Sequence, residues 1–198
     1  MVVAETALAS PPHSDEQLLQ RFAAGDRTAL DELFRRYRAL AYRVAYRLLG
    51  HEADALDAVQ EGFIKVLTHL HGFQGRSSFK TWLLRVVSNA SLDLGRQRGR
   101  REMMSLEAAE ANDEAPAQPL THDDPTLELE REDLRHLLQE ALATLPEAQR
   151  QTFVLHAEGE LSYREVAEVL GISIGTVMSR LYYTRLKLRA YLAERIPV

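Results

Sequence analysis

Residues 161–189 leave this chain few folds to choose from. Ser162 followed by Glu165 forms a capping box, in which two side chains satisfy each other's backbone amides at a helix start. Val166, Ala167, Val169 and Leu170 then make the apolar side of a short helix, and Gly171 supplies the left-handed residue that ends it. Ser173 caps a second helix, with Val177, Leu181, Leu188 and Tyr191 facing inward and Arg180, Arg185, Lys187 and Arg189 left for solvent or phosphate. A helix, a glycine turn and a basic helix in that order predict a helix-turn-helix, the unit that lays its second helix in a DNA major groove.

The rest of the chain also reads as helical, without a period-two strand. Leu30, Leu33, Phe34, Tyr37, Leu40, Ala41, Val44, Ala45 and Leu48 recur at helical spacing up to Gly50. Val59, Phe63, Ile64, Val66, Leu67 and Leu70 form a second stripe. After the loop 71–78, Phe79, Trp82, Leu83, Val86, Val87, Ala90 and Leu94 form a third. From Arg101 to Leu127 the composition turns to Ala, Glu and Asp, with Pro116, Pro119 and Pro125. So few large apolar groups cannot offset the chain entropy of ordering, which predicts a flexible acidic linker. Helical pattern resumes at Leu134, Leu137, Leu138, Ala141, Leu142 and Leu145, and Pro146 breaks it before a further helix over 148–156. The expected fold is all-α: two small helical domains, 14–100 and 129–195, joined by a flexible linker over 101–128.

Charge first argues against a nucleic-acid partner, because the chain carries a net −5. Its distribution points the other way. Between Phe79 and Arg101 stand Lys80, Arg85, Arg96, Arg98, Arg100 and Arg101 against Asp93 alone, while the acid concentrates after Glu102. Local positive potential is what phosphate binding needs. There is no cysteine, which removes disulfides and thiolate metal sites and suits a cytoplasmic protein. No run approaches the roughly 18 apolar residues of a membrane span, and Met1–His13 lacks a secretory pattern.

Three apparent chemical signatures fail on context. Gly171-Ile172-Ser173-Ile174-Gly175 matches the Gly-x-Ser-x-Gly nucleophile elbow, but a helix precedes it and no histidine follows. Ser173 reads as a helix cap. His69 and His71 lack spaced third and fourth ligands, so no metal site is expected. No phosphate loop of the Gly-x-x-x-x-Gly-Lys type is present, and no cofactor or catalytic residue is assigned.

With these elements in place, the chain resembles a known family. The run Asp54 to Val66 (DALDAVQEGFIKV), the run Phe79-Lys80-Thr81-Trp82-Leu83 and the helix-turn-helix are together similar to bacterial RNA polymerase sigma factors of the extracytoplasmic-function (ECF) class. The likeness covers roughly 14–100 and 130–193. It implies a first domain that holds the polymerase clamp coiled coil and opens the downstream (−10) promoter box, and a second that reads the upstream (−35) box as duplex. Core RNA polymerase (clamp and flap), promoter DNA and a cognate anti-sigma protein are the implied partners.

By position, the resemblance puts Asp57, Gln60 and Glu61 on the face toward the clamp. Spacings of three and four do put such groups on one helical face, where they can pair with a basic partner helix. It makes the Gly72–Ser78 loop, with Gln74, Arg76 and Ser77, the captor of an extruded base, with Lys80 and Asn89 adjoining. Arg96 and Arg98 follow phosphates, as would Arg100 and Arg101. Trp82, in register with Leu83 and Val86, reads as core rather than as a stacking platform. In the second domain Tyr163 and Arg164 position the duplex backbone. Ser173, Thr176, Met178, Ser179, Arg180 and Tyr183 open the recognition helix, where base edges are met. Basic residues are usual in the family at the positions of Met178 and Tyr183, and methionine can offer thymine's methyl only apolar contact. A stand-alone homodimeric helix-turn-helix repressor is the competing reading, and it leaves Asp57–Glu61 and the loop without a role.

Overall fold

The computed structural model describes residues 13–70, 73, 75, 77–108 and 125–195, with the side chains of 102–108 and 125–132 excepted. Every regular element among them is a helix: α1 Asp15–Ala23, α2 Thr28–Leu49, α3 Glu52–His69, α4 Phe79–Ala108, α5 Pro125–Ala143, α6 Glu147–Ala157, α7 Tyr163–Leu170 and α8 Ile174–Ala193.

In the first half α2, α3 and α4 pack as a bundle around Leu33, Ala41, Ala45, Ala58, Val66, Leu83 and Val87, all fully buried. Gly50 ends α2 with the left-handed φ of 73° that glycine tolerates best. Helix α1 carries its own capping box, Ser14 with Gln17, and is pinned to α2 through Asp15, which accepts from Arg36 Nη1 and the Tyr37 hydroxyl at 2.5 Å each. In the second half α6, α7 and α8 enclose Leu142, Leu155, Leu161, Val166, Val177 and Leu181.

Two expectations need correction. Helix α4 runs on to Ala108 and α5 starts at Pro125, so the linker is shorter at both ends than 101–128. The stretch after Arg101 contains good helix formers and neither Pro nor Gly, and a helix already under way extends through such residues at little cost. Residues 109–124, the centre of the expected flexible linker, lie outside the described residues. The second correction concerns the stripe on α3. Ile64 and Leu67 stand at the surface, while Ala55 and Ala58 take the inward positions beside Val59 and Val66.

The two halves are also in contact rather than held apart. Leu40, Val44 and Leu48 of α2 and Leu84 of α4 share one apolar cluster with Ala141, Leu142, Leu145, Leu155 and Leu161. The broad stripe on α2 therefore serves two neighbours at once. Polar contacts ring the seam: Arg47 Nε donates to Glu158 Oε1 at 3.0 Å, Thr81 Oγ1 to Glu165 Oε1 at 3.0 Å, and Arg96 Nη2 to Glu147 Oε1 at 2.9 Å.

Candidate polymerase and nucleic-acid interface

The helix-turn-helix is assembled from local signals that all point one way. Ser162 N donates to Glu165 Oε2 at 2.8 Å and Glu165 N to Ser162 Oγ at 3.3 Å, closing the capping box. Gly171 ends α7 at φ 65°, and Ser173 Oγ accepts from Thr176 N at 3.0 Å to start α8. The side chain of Ser173 is thus a cap, with a helix before it rather than a strand. Val166, Ala167 and Val169 meet Val177, Leu181 and Leu188 inside, which sets the angle between the two helices.

Around this frame the residues singled out in sequence take different places. Arg164, Met178, Ser179 and Tyr183 are exposed, and Thr176 is half-buried behind the cap. Tyr163 is half-buried against His156, ring centroids 4.9 Å apart, and its hydroxyl accepts from Arg185 at 3.4 Å. Arg180 differs most from expectation. It is half-buried with Nη1 directed to Thr152 Oγ1 at 3.4 Å, so it borders the outward face of α8 instead of heading it.

Glu165 joins the capping box to the seam, since it also accepts from Thr81. The Ser162 side chain, followed by its backbone amide and Thr81, holds this carboxyl below the usual carboxylate range. A depressed folded-state value makes the stabilisation complete above the ordinary 4.5 and lost as pH falls through the folded value. Glu165→Ala should therefore lower the urea midpoint near neutrality, and the gap to wild type should close in acid. Urea titrations across pH check it.

On α3, Asp57, Gln60 and Glu61 share one exposed face, with Glu61 paired to Lys65 at 2.5 Å. Exposed Leu56, Ile64 and Leu67 stand on the same helix, giving it an apolar component that the sequence pattern conceals. Ile64 and Leu67 count as core by their spacing, but spacing alone cannot say which flank of a broad stripe is covered.

The loop before α4 is described only in part. Gln74 and Arg76 lie outside the described residues, while Ser77 is half-buried. Ser78 Oγ accepts from Thr81 N at 3.0 Å to cap the first turn. Trp82 is half-buried between Phe73 and Phe79, at centroid distances of 5.0 and 6.1 Å, in keeping with a core role. Along α4, Asn89 is exposed and Arg98 pairs with Asp54 at 2.6 Å. Lys80 Nζ donates to the Glu160 carbonyl at 3.1 Å, and Arg96 bonds Glu147. Two of the cations expected to face DNA are thus held by the second half of the chain.

Family models match both halves: Sigma-70 region 2 over residues 33–101, and Sigma-70 region 4 over 135–188. ECF RNA polymerase sigma factor SigW of Bacillus subtilis is 30% identical across 89% of this chain and 95% of its own length. The chain belongs to the ECF RNA polymerase sigma factors. The ECF sigma-E factor of Escherichia coli is 33% identical over 87% of this chain and 91% of its own. SigE of Mycolicibacterium smegmatis reaches 41% over 87% of this chain, which spans 66% of that relative. Among solved structures, CnrH in complex with the cytosolic domain of CnrY superposes with a TM-score of 0.68 at 27% identity, covering 92% of this chain and 99% of that one. The sigma factor RpoE of Bartonella quintana, crystallised with the anti-sigma factor NepR, shares the fold at a TM-score of 0.64 and 23% identity, covering 84% and 98%. With region 2 accounted for as well as the helix-turn-helix, the stand-alone repressor reading has no support. This sigma factor serves promoter-directed transcription initiation, and no helix among its described residues is long and apolar enough to cross a membrane.

Proposed function

We propose that α3 binds the polymerase clamp through Asp57, Gln60 and Glu61, that α8 reads the upstream box as duplex with α7 in support, and that the loop 72–78 and α4 hold the melted downstream strand. The flap of the polymerase takes the second half, and the chain works in the cytoplasm without covalent chemistry of its own. The observation that carries this reading is the pairing, on one chain, of an acidic α3 face in a region 2 match with a capped helix-turn-helix in a region 4 match.

The closed arrangement adds a condition. Lys80 and Arg96 reach DNA only after releasing Glu160 and Glu147, so polymerase binding has to part the halves and set them at promoter spacing. A cognate anti-sigma protein is the natural competitor for those surfaces. RpoE was solved with the anti-sigma factor NepR, and CnrH with the cytosolic domain of CnrY.

The roles separate by substitution. Glu61→Lys reverses a charge on the clamp face and should cut retention by core polymerase more than tenfold, leaving upstream-box affinity of the bound fraction intact. Arg180→Ala, at the edge of α8, should weaken promoter binding about uniformly across sequences and reduce the salt slope by about one, with core retention unchanged. Pull-down with core enzyme and filter binding of the holoenzyme at several salt concentrations measure both. If the two variants lose the same property, the division of labour is wrong.

A further inference from the structure

A crevice of about 530 Å³ lies in the seam between the two halves, a volume within the range of small-molecule sites. One wall is a strip of small residues on α4. Ser91, Gly95 and Gly99 recur every four residues, so they share one side of the helix, about 40° apart in turn. A Cβ on Gly95 would stand 3.3 Å from Leu49 Cδ2, whereas one on Gly99 would meet nothing within 4 Å. The strip is thus closed by α2 at one end and open at the other. Leu49 and Leu92 give it an apolar border.

Three guanidinium groups converge on this strip. On α4, Arg98 falls about 60° to one side of Gly95 and Arg96 about 100° to the other, so the two flank it. Arg150 enters from α6, its Nε buried and without a hydrogen-bond partner. Two carboxylates share the crevice. Asp54 accepts from Arg98 Nη1 at 2.6 Å and lies 3.7 Å from His51 Nδ1. Glu147 accepts from Arg96 Nε and Nη2 at 3.2 and 2.9 Å. The fork that Arg96 offers this carboxylate suits a phosphate equally well. Both partners of the Arg96–Glu147 pair are exposed, so the pair is weak and readily exchanged.

We propose that the crevice binds a nucleoside phosphate, its phosphates between Arg96 and Arg150 and its base on the Gly95–Gly99 strip against Leu49 and Leu92. Glu147, at the start of α6, turns to solvent as the phosphate replaces it, and Arg98 keeps Asp54. A bare anion would leave the strip and its leucines uncovered. An apolar ligand would desolvate the guanidinium groups without offering them an acceptor. Arg96 belongs to the first half and Arg150 to the second, so the ligand ties the halves together. It therefore favours the closed arrangement and opposes engagement of core polymerase. That consequence, though not the site, rests on the reading that polymerase binding parts the halves.

Isothermal titration of the full chain with GTP, ATP and inorganic pyrophosphate tests the site. The expected result is a single binding event for a nucleotide, with a Kd below about 1 mM and pyrophosphate about tenfold weaker or worse. Arg150→Gln removes a cation, and Gly99→Leu fills the open end of the strip with a residue that a helix favours over glycine. Each should weaken nucleotide binding about tenfold while far-ultraviolet dichroism stays unchanged. In pull-downs, the nucleotide should lower retention by core polymerase for wild type and not for Arg150→Gln. Absence of binding by both nucleotides, pyrophosphate that binds as tightly as they do, or wild-type affinity in both variants overturns the inference and leaves the sigma-factor reading standing. Binding that obeys the variants while core retention stays constant keeps the site and overturns the parting of the halves by polymerase.

Discussion

Leu84→Asp should part the two halves of the molecule without unfolding either. Leu84 is fully buried and lies in the cluster where Leu40, Val44 and Leu48 meet the second half; a Cβ on Gly159 would stand 3.1 Å from its Cδ1. A carboxylate there has no partner, and an unpaired buried charge costs several kcal/mol. Separation removes that cost by hydrating the side chain, whereas neither bundle's own core contains it. The polar ring will not hold the seam alone. Arg96–Glu147 is an exposed ion pair, weak and screened by salt. The part-buried Arg47–Glu158 and Thr81–Glu165 contacts are single hydrogen bonds that do not offset an unpaired buried charge. Small-angle scattering should show a larger radius of gyration, far-ultraviolet dichroism unchanged helicity, and the holoenzyme at least wild-type initiation, because Lys80 and Arg96 are already released. A variant that stays compact would show that the seam is held elsewhere. One that loses helicity would show that the halves cannot fold apart.

Gly62→Val should be the most damaging single change within the first half. A Cβ built on Gly62 falls 2.8 Å from Val87 Cγ2 and 3.3 Å from Val87 Cα, so α3 and α4 approach with no room for a side chain. Overpacking of this kind costs about 1–3 kcal/mol, and a branched side chain against a neighbouring backbone belongs at the upper end or beyond. Alanine regains about 1 kcal/mol of helix propensity and should cost correspondingly less. Urea unfolding should rank wild type, Gly62→Ala and Gly62→Val in that order. The functional loss should be double, because the proposed clamp face is on α3 and the proposed downstream-box cations are on α4. Val87→Ala in the Gly62→Val background should recover part of the stability, which a mere propensity effect at position 62 would not allow.

Much of the site is legible in the sequence because its signals are local. Ser162 and Glu165, Gly171, and Ser173 with Thr176 lie within four residues of their partners, so spacing alone reveals them. Helix α1 carries the same signal in Ser14 and Gln17 and is nonetheless missed in the sequence reading, because its apolar stripe is too short to stand out. Ile64 and Leu67 mislead for the opposite reason: hydrophobicity and period mark a stripe, and burial depends on what arrives from elsewhere to cover it. Arg180 belongs with them, because its turn toward Thr152 depends on how α6 packs under α8.

Residue spacing and composition by themselves determined that this chain is helical, where the caps and the turn of the helix-turn-helix fall, that an acidic proline-bearing stretch divides it, and which family it resembles. Only the tertiary structure decided that α2 serves two cores, that Glu147, Glu158, Glu160 and Glu165 engage the first half, and that Met178, Tyr182, Tyr183 and Leu186 of α8 stay exposed. The first set depends on contacts three or four residues apart, which the period of a helix makes unavoidable. The second depends on surfaces far apart in sequence, about eighty residues in the case of Thr81 and Glu165, whose meeting is chosen by shape and charge complementarity across the whole fold.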